Sequence, residues 1–118
     1  MFRAMCKSKI HRITVTETNL QYEGSITIDS DLMKAADILP HEKVQVVNTN
    51  NGMRIETYVI PGKPSSGIVC MNGAAARCAE PGDIIIVITY CLLEDGEARK
   101  HKPTVVKVDA KNRPVGRA

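Results

Sequence analysis

Two short segments of the chain combine residue types that could do chemistry. Tyr22-Glu23-Gly24-Ser25 places a Gly-Ser step at the entrance of an alternating strand pattern. Asn72-Gly73-Ala74-Ala75-Ala76 is a run of small residues, whose backbone amides can lie open to a ligand. Each segment also has an ordinary structural interpretation, because Gly-Ser is a common turn and alanines favour a helical turn. Neither segment decides the function alone.

Motifs for several other kinds of chemistry are missing from the sequence. It contains no GxxxxGK[ST] or GxGxxG phosphate loop and no GxSxG nucleophile elbow. The histidines are far apart, and HxxxH and HExxH do not occur, so no metal site is predicted. The cysteines match no zinc-ligand spacing, and we interpret all of them as structural free thiols.

Composition and hydropathy narrow the class of protein. The 118 residues are 43% hydrophobic and 25% charged, which is typical of one folded domain. The longest apolar run, residues 84–88, is too short for a membrane span or a secretory signal, so we expect a cytoplasmic protein with no membrane partner. Only 3% of residues are aromatic, which argues against a single-strand binder built on stacking.

Basic residues are concentrated at the C-terminal end. Residues 99–118 hold seven Lys or Arg and one acid, whereas residues 1–98 hold nine basic and twelve acidic side chains. A basic C-terminal segment can bind nucleic acid, although a solvated strand and terminus is the commoner case. A small β-barrel DNA-binding regulator is therefore the alternative function, and the interpretation that we favour has no nucleic-acid partner.

The elements that must position the candidate residues are mostly strands. β-Branched and alternating segments predict strands at 9–16, 24–29, 43–47, 53–60, 67–71, 84–90 and 104–108. Asn51-Gly52 predicts a hairpin between two of them. Residues 84–90 are apolar on both faces and should form the most buried strand.

One short helix is predicted between the second and third strands. Asp29 or Ser30 can cap it, and Leu32, Ala35, Ala36 and Leu39 have helical spacing up to Pro40, which ends the pattern. Many short strands with one or two short helices predict a mainly β chain, folded as a small closed barrel over residues 1–118.

Five separated motifs, taken in order, resemble the pyruvoyl-dependent aspartate 1-decarboxylase family over roughly residues 1–90. They are Lys9-Ile10-His11-Arg12, Tyr22-Glu23-Gly24-Ser25, Asn51-Gly52-x-Arg54-x-x-Thr57-Tyr58, Asn72-Gly73-Ala74-Ala75-Ala76, and Pro81-Gly82-Asp83 before an Ile/Val strand. The resemblance implies a double-psi β-barrel and a homotetramer with active sites between neighbouring subunits. It does not extend to the basic segment, whose deletion is expected to leave the activity largely intact.

The resemblance also implies a cofactor made from the chain itself, with no metal and no PLP. Cleavage between Gly24 and Ser25 would give chains of 24 and 94 residues and convert Ser25 into a pyruvoyl group. The residue types fit, because a serine hydroxyl can attack the preceding carbonyl and glycine can adopt strained dihedrals. A Schiff base with L-aspartate would then release CO₂ and, after protonation, β-alanine, a pantothenate precursor.

The resemblance further assigns roles by position. The catalytic residues are Ser25 and Tyr58, with Tyr58 as the proton donor to Cα. Self-processing is assigned to Gly24, Ser25, Thr57, His11, Tyr22 and Asn72, and Thr57 donates to the Gly24 carbonyl. Substrate binding is assigned to Lys9, Arg54, Thr57, Gly73, Ala74 and Ala75.

Two features of the predicted site have more than one interpretation. Which substrate carboxylate each cation contacts is not determined. Thr57 and Tyr58 should point to opposite faces of one strand, so either a bulge intervenes or the site is shared between subunits. We favour sharing.

Overall fold

The computed structural model describes residues 1–115, so Arg117 of the basic segment lies outside the described part. The strands are β1 Phe2–Thr14, β2 Glu17–Asn19, β3 Ser25–Asp29, β4 Lys43–Asn48, β5 Arg54–Gly62, β6 Val69–Asn72, β7 Ile84–Glu94 and β8 Thr104–Lys107. The helices are α1 Ser30–Ala35, a 3-10 helix Gly73–Cys78 and α2 Asp95–Ala98. The predicted mainly β class with short helices is confirmed, with one short helix more than expected.

The strands form one mixed sheet in the order β2-β6-β3-β5-β4-β7-β1-β8. The antiparallel pairs β1–β7, β4–β7, β4–β5 and β3–β6 are combined with the parallel pairs β3–β5, β2–β6 and β1–β8. Alternate residues of these strands enclose a single apolar core, which includes Ile10, Ile26, Val59 and Val87. The arrangement is consistent with the small β-barrel expected from the sequence.

Two strand predictions need correction. β1 begins at Phe2 rather than at residue 9, because its first residues pair with the far end of β7, where Phe2 lies opposite Glu94. β7 is fully buried on only one face, with Ile86 and its alternate neighbours half-buried. The strand whose residues are all buried is β6.

The helix α1 is shorter than its apolar spacing suggests. Asp29 is the N-cap, as predicted, and its carboxylate accepts a hydrogen bond from the backbone N–H of Asp31 at 2.8 Å. Helical backbone ends before Asp37, whose φ is +56°, so Pro40 does not end it. Leu39 is 67% exposed and does not belong to the buried helical face.

The hairpin at Asn51-Gly52 is confirmed. Gly52 has a φ of +76°, a conformation in which glycine carries no steric penalty. The β4–β5 ladder that follows is unbroken from Val47 opposite Arg54 to Lys43 opposite Tyr58. The hairpin therefore sets the position of Tyr58 on β5.

No helix within residues 1–115 is long and apolar enough to cross a membrane.

The strand predicted in the basic C-terminal segment is confirmed as β8, and the described part of the segment is anchored to the fold, which argues against its being dispensable. β8 pairs with β1, and Val106 lies in the core. Asn112 is 2% exposed, and its Nδ2 donates to the carbonyls of Thr14 at 2.8 Å and Gly67 at 2.9 Å. Its Oδ1 accepts from the Thr14 N–H at 2.8 Å.

Replacing Asn112 with alanine is expected to destabilise the fold by about 3 kcal/mol, because it leaves backbone groups of Thr14 on β1 and of Gly67 in the loop before β6 without partners. Alanine also tolerates the φ of +60° at this position less well than asparagine does. Urea unfolding of the variant measures the effect. Lys111→Ala is the matched control, and its exposed neighbouring side chain should cost under about 0.5 kcal/mol. Equal stabilities would show that the segment is not held by Asn112.

Candidate active site

A cleft of about 450 Å³ opens beside the Gly24–Ser25 step. Four of its lining residues come from β5 and three from the 3-10 helix. The full lining is Gly24, Ile55, Glu56, Thr57, Tyr58, Ala74, Ala75 and Cys78. The cleft therefore brings together five residues that the sequence had singled out in three separate segments.

The end of the β3–β5 ladder creates this cleft. The parallel pairing of the two strands begins with Ile26 opposite Val59 and continues toward Gly62. Before that point the β5 backbone has no β3 neighbour, and its open edge faces the loop that contains Gly24. Side chains from both faces of a strand flank its edge, so Thr57 and Tyr58 both line the cleft.

This arrangement corrects one inference from strand alternation. The β4–β5 ladder shows no bulge at Thr57 or Tyr58. A single chain nevertheless presents both residues to one cleft, so neither a bulge nor a second subunit is needed to explain their proximity.

Ser25 lies fully buried at the start of β3, next to Gly24. Its Oγ donates to the Glu23 carbonyl at 2.9 Å and accepts from Nδ2 of Asn72 at 3.0 Å. The β3–β6 register places Ser25 directly opposite Asn72.

Asn72 has all its side-chain hydrogen-bonding groups in use. Besides Ser25, its Nδ2 donates to Oγ1 of Thr27 at 2.9 Å. Its Oδ1 accepts from Sγ of Cys70 at 3.1 Å. The side chain is 2% exposed and does not cap the 3-10 helix that follows. The Asn72 amide therefore binds side chains of β3 and β6 around Ser25.

The glycine under steric constraint is Gly73, not Gly24. Gly73 has a φ of +62°, and a Cβ there would lie 2.6 Å from the Gly24 nitrogen and 2.7 Å from the Tyr22 carbonyl oxygen. Gly24 has no positive φ, and a Cβ on it would meet nothing within 4 Å. The freedom of Gly24 to adopt strained dihedrals is therefore not used in the uncleaved chain. A side chain at residue 73 would instead push away the segment before the Ser25 step.

The predicted cations lie outside the cleft of the single chain. Lys9 is on β1, where it lies opposite Ile88 of β7. In the sheet, β4 and β7 separate β1 from β5. Arg54 is exposed, and its guanidinium donates to Oε1 of Gln45 at 2.5 Å. The charged residue that does line the cleft is Glu56, to which Gln45 donates at 3.2 Å. Among residues 1–115, no Lys or Arg side chain lines the cleft.

His11 and Tyr22 are also not brought to the cleft wall. Tyr22 is 50% exposed in the turn before Gly24, and its carbonyl oxygen approaches Gly73. His11 lines a separate cleft with Arg12, Lys107 and others, which shares no lining residue with the first. Burial lowers the pKa of His11, and the charges of Lys9, Arg12 and Lys107 lower it further. The imidazole is therefore neutral at pH 7.

Three lining residues were missed by the sequence reasoning. Glu56 had a signal, since it lies between Arg54 and Tyr58 on the same strand face. Ile55 reaches the cleft because the β5 edge is open, and Cys78 because the 3-10 helix turns back toward β5. No local pattern marks either of these residues. Residues 1–115 contain no group of His, Cys, Asp or Glu that could hold a metal ion.

The sequence matches the family model described as aspartate decarboxylase over residues 1–115. The aspartate 1-decarboxylase of Pelotomaculum thermopropionicum is 64% identical over 115 residues, which cover 98% of this chain and 87% of the relative. That of Heliobacterium modesticaldum is 63% identical over 118 residues, covering 100% and 89%. That of Listeria monocytogenes is 59% identical over 112 residues, covering 95% and 88%. A family model that spans every described residue, together with identities of this size, shows that the chain belongs to the aspartate decarboxylase family, whose members are carboxy-lyases.

Proposed function

We propose that the chain decarboxylates L-aspartate to β-alanine and CO₂, after it has cleaved itself between Gly24 and Ser25. The observation that carries the proposal is the buried Ser25 hydroxyl beside the cleft, with an amide N–H of Asn72 donating to its oxygen. Family membership supplies the reaction class. The product makes the enzyme a source of a pantothenate precursor, as the family resemblance implies.

The local geometry suits a self-cleavage step. A hydroxyl that attacks the preceding carbonyl must lose its proton, and negative charge then grows on Oγ. The Asn72 N–H, 3.0 Å from that oxygen, stabilises such charge without having to move. The Glu23 carbonyl already accepts the Ser25 hydrogen. Gly24 lines the cleft, so its carbonyl group has open space in which to become tetrahedral.

The residues present also fit a pyruvoyl group derived from Ser25. That group supplies an electrophilic carbonyl and an electron sink for loss of the α-carboxylate, which none of the twenty side chains offers. Ser25 begins β3, so cleavage leaves a new chain end beside the cleft. Asn72 and Thr27 keep polar hydrogen-bonding groups at that end.

Tyr58 is the proposed proton donor to Cα of the substrate. It lines the cleft beside Gly24, and its place on β5 is fixed by pairing with Lys43. Its phenol O–H is a donor that can pass a proton to a strongly basic carbon formed in the cleft.

The substrate carboxylates are proposed to accept hydrogen bonds from backbone amides and to form ion pairs with cations. Ala74 and Ala75 are in the first turn of the 3-10 helix, which no side chain caps, and both line the cleft. L-Aspartate carries two carboxylates, whereas the described residues 1–115 line the cleft with the acid Glu56 and with no Lys or Arg. We therefore propose that Lys9 or Arg54 of a neighbouring copy completes the site in a homotetramer. Four free thiols agree with a cytoplasmic location.

The DNA-binding alternative is not supported. The decarboxylase family model covers residues 1–115, and the basic segment contributes β8 and the buried Asn112 to the fold.

Intact-mass analysis of aged protein tests the proposal. The expected result is two chains of 24 and 94 residues, the larger one starting with a group in place of Ser25 that reacts with carbonyl reagents. The same sample should form β-alanine from L-aspartate. A single chain of full-length mass that nevertheless makes β-alanine would refute cleavage as the source of the activity.

Thr57→Val is expected to slow self-cleavage by about tenfold or more, because the Thr57 hydroxyl is proposed to donate to the Gly24 carbonyl as it becomes tetrahedral. Valine has nearly the same shape, and Thr57 is only half-buried, so folding should be retained. The time course of chain cleavage, followed by mass, measures the effect. Thr49→Val, which alters an exposed threonine on the β4–β5 loop, is the control. Cleavage of Thr57→Val at the unaltered rate would remove Thr57 from the step.

A further inference from the structure

We infer that Cys70 is a positioning residue for self-cleavage, because its thiol fixes which end of the Asn72 amide faces Ser25. The inference rests on the proposed function, in which the chain cleaves itself at Gly24–Ser25. From its sequence surroundings Cys70 was interpreted as a small buried hydrophobe, and it is indeed only 5% exposed. Its contacts give it a more specific role.

Cys70 and Asn72 are two residues apart on β6, so their side chains leave the same face of the strand. The Cys70 Sγ lies 3.1 Å from Oδ1 of Asn72. Its other acceptor, the Met71 carbonyl, is farther away at 3.9 Å. Burial raises the pKa of the Cys70 thiol, and the nearby charge of Glu17 raises it further. The thiol therefore keeps its proton and offers it to the Asn72 oxygen.

The two ends of an asparagine amide have nearly the same shape, so hydrogen-bond partners decide its orientation. In the observed orientation, the NH₂ group donates to the hydroxyls of Ser25 at 3.0 Å and Thr27 at 2.9 Å. Both hydroxyls could instead donate to a carbonyl oxygen, so these two contacts are compatible with either orientation of the Asn72 amide. The thiol favours the orientation shown, since its sulfur is only a weak acceptor for an N–H, whereas its S–H donates to the amide oxygen.

The orientation decides whether Asn72 assists or opposes the reaction. An N–H that points at Ser25 Oγ stabilises the negative charge that grows there as the hydroxyl loses its proton. A carbonyl oxygen at the same place would repel that charge and would draw the Ser25 hydrogen away from the Glu23 carbonyl. Cys70 touches no reacting atom and acts only through Asn72.

The test compares the cleavage rates of Cys70→Ala and Cys70→Ser, with Cys91→Ala as a control that removes a half-buried thiol from β7. Loss of one ordinary hydrogen bond corresponds to about a three- to tenfold slower rate, which we expect for Cys70→Ala. Cys70→Ser restores a donor and should cleave within about twofold of the unaltered chain, and the control should match that chain. A merely structural role would not be rescued by serine.

Equal rates for Cys70→Ala and the unaltered chain would overturn the inference while leaving the proposed function intact, and so would a Cys70→Ser variant as slow as Cys70→Ala. Failure of the unaltered chain to cleave would overturn both. A second measurement does not depend on cleavage. It records the frequency of the S–H infrared band of Cys70 in the uncleaved Ser25→Ala chain. Asn72→Leu in that background should move the band to higher frequency, as expected for a thiol that has lost its acceptor. An unmoved band would exclude the contact on which the inference depends.

Discussion

Ser25→Ala is expected to abolish both chain cleavage and β-alanine formation, because alanine has no oxygen with which to attack the Gly24 carbonyl. The remaining groups around the site stay in place, since Ser25 is buried and alanine is smaller. Intact mass should show only the full-length chain after prolonged incubation. L-Aspartate turnover should fall below detection in the same sample.

Ser8→Ala is the matched control for this experiment. Ser8 is as fully buried as Ser25, and its Oγ lies 2.6 Å from Oγ1 of Thr89. Loss of that hydrogen bond should lower stability by about 1 kcal/mol and leave cleavage unchanged. Turnover by a Ser25→Ala chain of confirmed mass would show that the activity comes from another group.

Tyr58→Phe is expected to lower turnover of L-aspartate by about 10²- to 10⁴-fold, which is the usual contribution of a positioned general acid. Removing the phenol oxygen changes no backbone contact of β5, so cleavage at Gly24–Ser25 should proceed. The measurement is the β-alanine rate of a sample that intact mass shows to be fully cleaved.

Tyr90→Phe provides the comparison for Tyr58. Tyr90 is 47% exposed on β7, and its hydroxyl lies 3.5 Å from Oε1 of Gln45, outside the lining of the cleft. We expect near-normal turnover from it. If cleaved Tyr58→Phe were equally active, the proton donor would have to be sought elsewhere.

The sequence predicted the elements well where a local pattern has a single physical cause. Asn51-Gly52 fixes a hairpin because few residues other than glycine accept its backbone, and alternation marks the buried face of β5. It failed for α1, where Leu39 has helical spacing but Asp37 already turns the backbone away. It predicted β8 in the basic segment but not how that segment is anchored, because charge in the sequence does not reveal a buried side chain such as Asn112.

The candidate site was predictable only as a set of residues, not as an arrangement. Strand alternation separates Thr57 from Tyr58, and the open β5 edge that reunites them depends on where β3 stops pairing. The constraint at Gly73 depends on a loop almost fifty residues earlier in the chain. The contact of Cys70 with Asn72 follows from the strand period alone, yet nothing in the sequence says that Asn72 turns toward Ser25.

The pairing of β1 with a neighbour on each side means that the cleaved protein would be a complex of two peptides that seldom exchange. Residues 1–24 would have no covalent link to the remainder, yet β1 lies between β7 and β8, and the segment buries Ile10, Ile13 and Val15. Burial of three such side chains contributes about 6 kcal/mol, before the backbone ladder is counted. The short peptide can leave only when the whole barrel opens, so its dissociation rate reports the global unfolding rate of the fold.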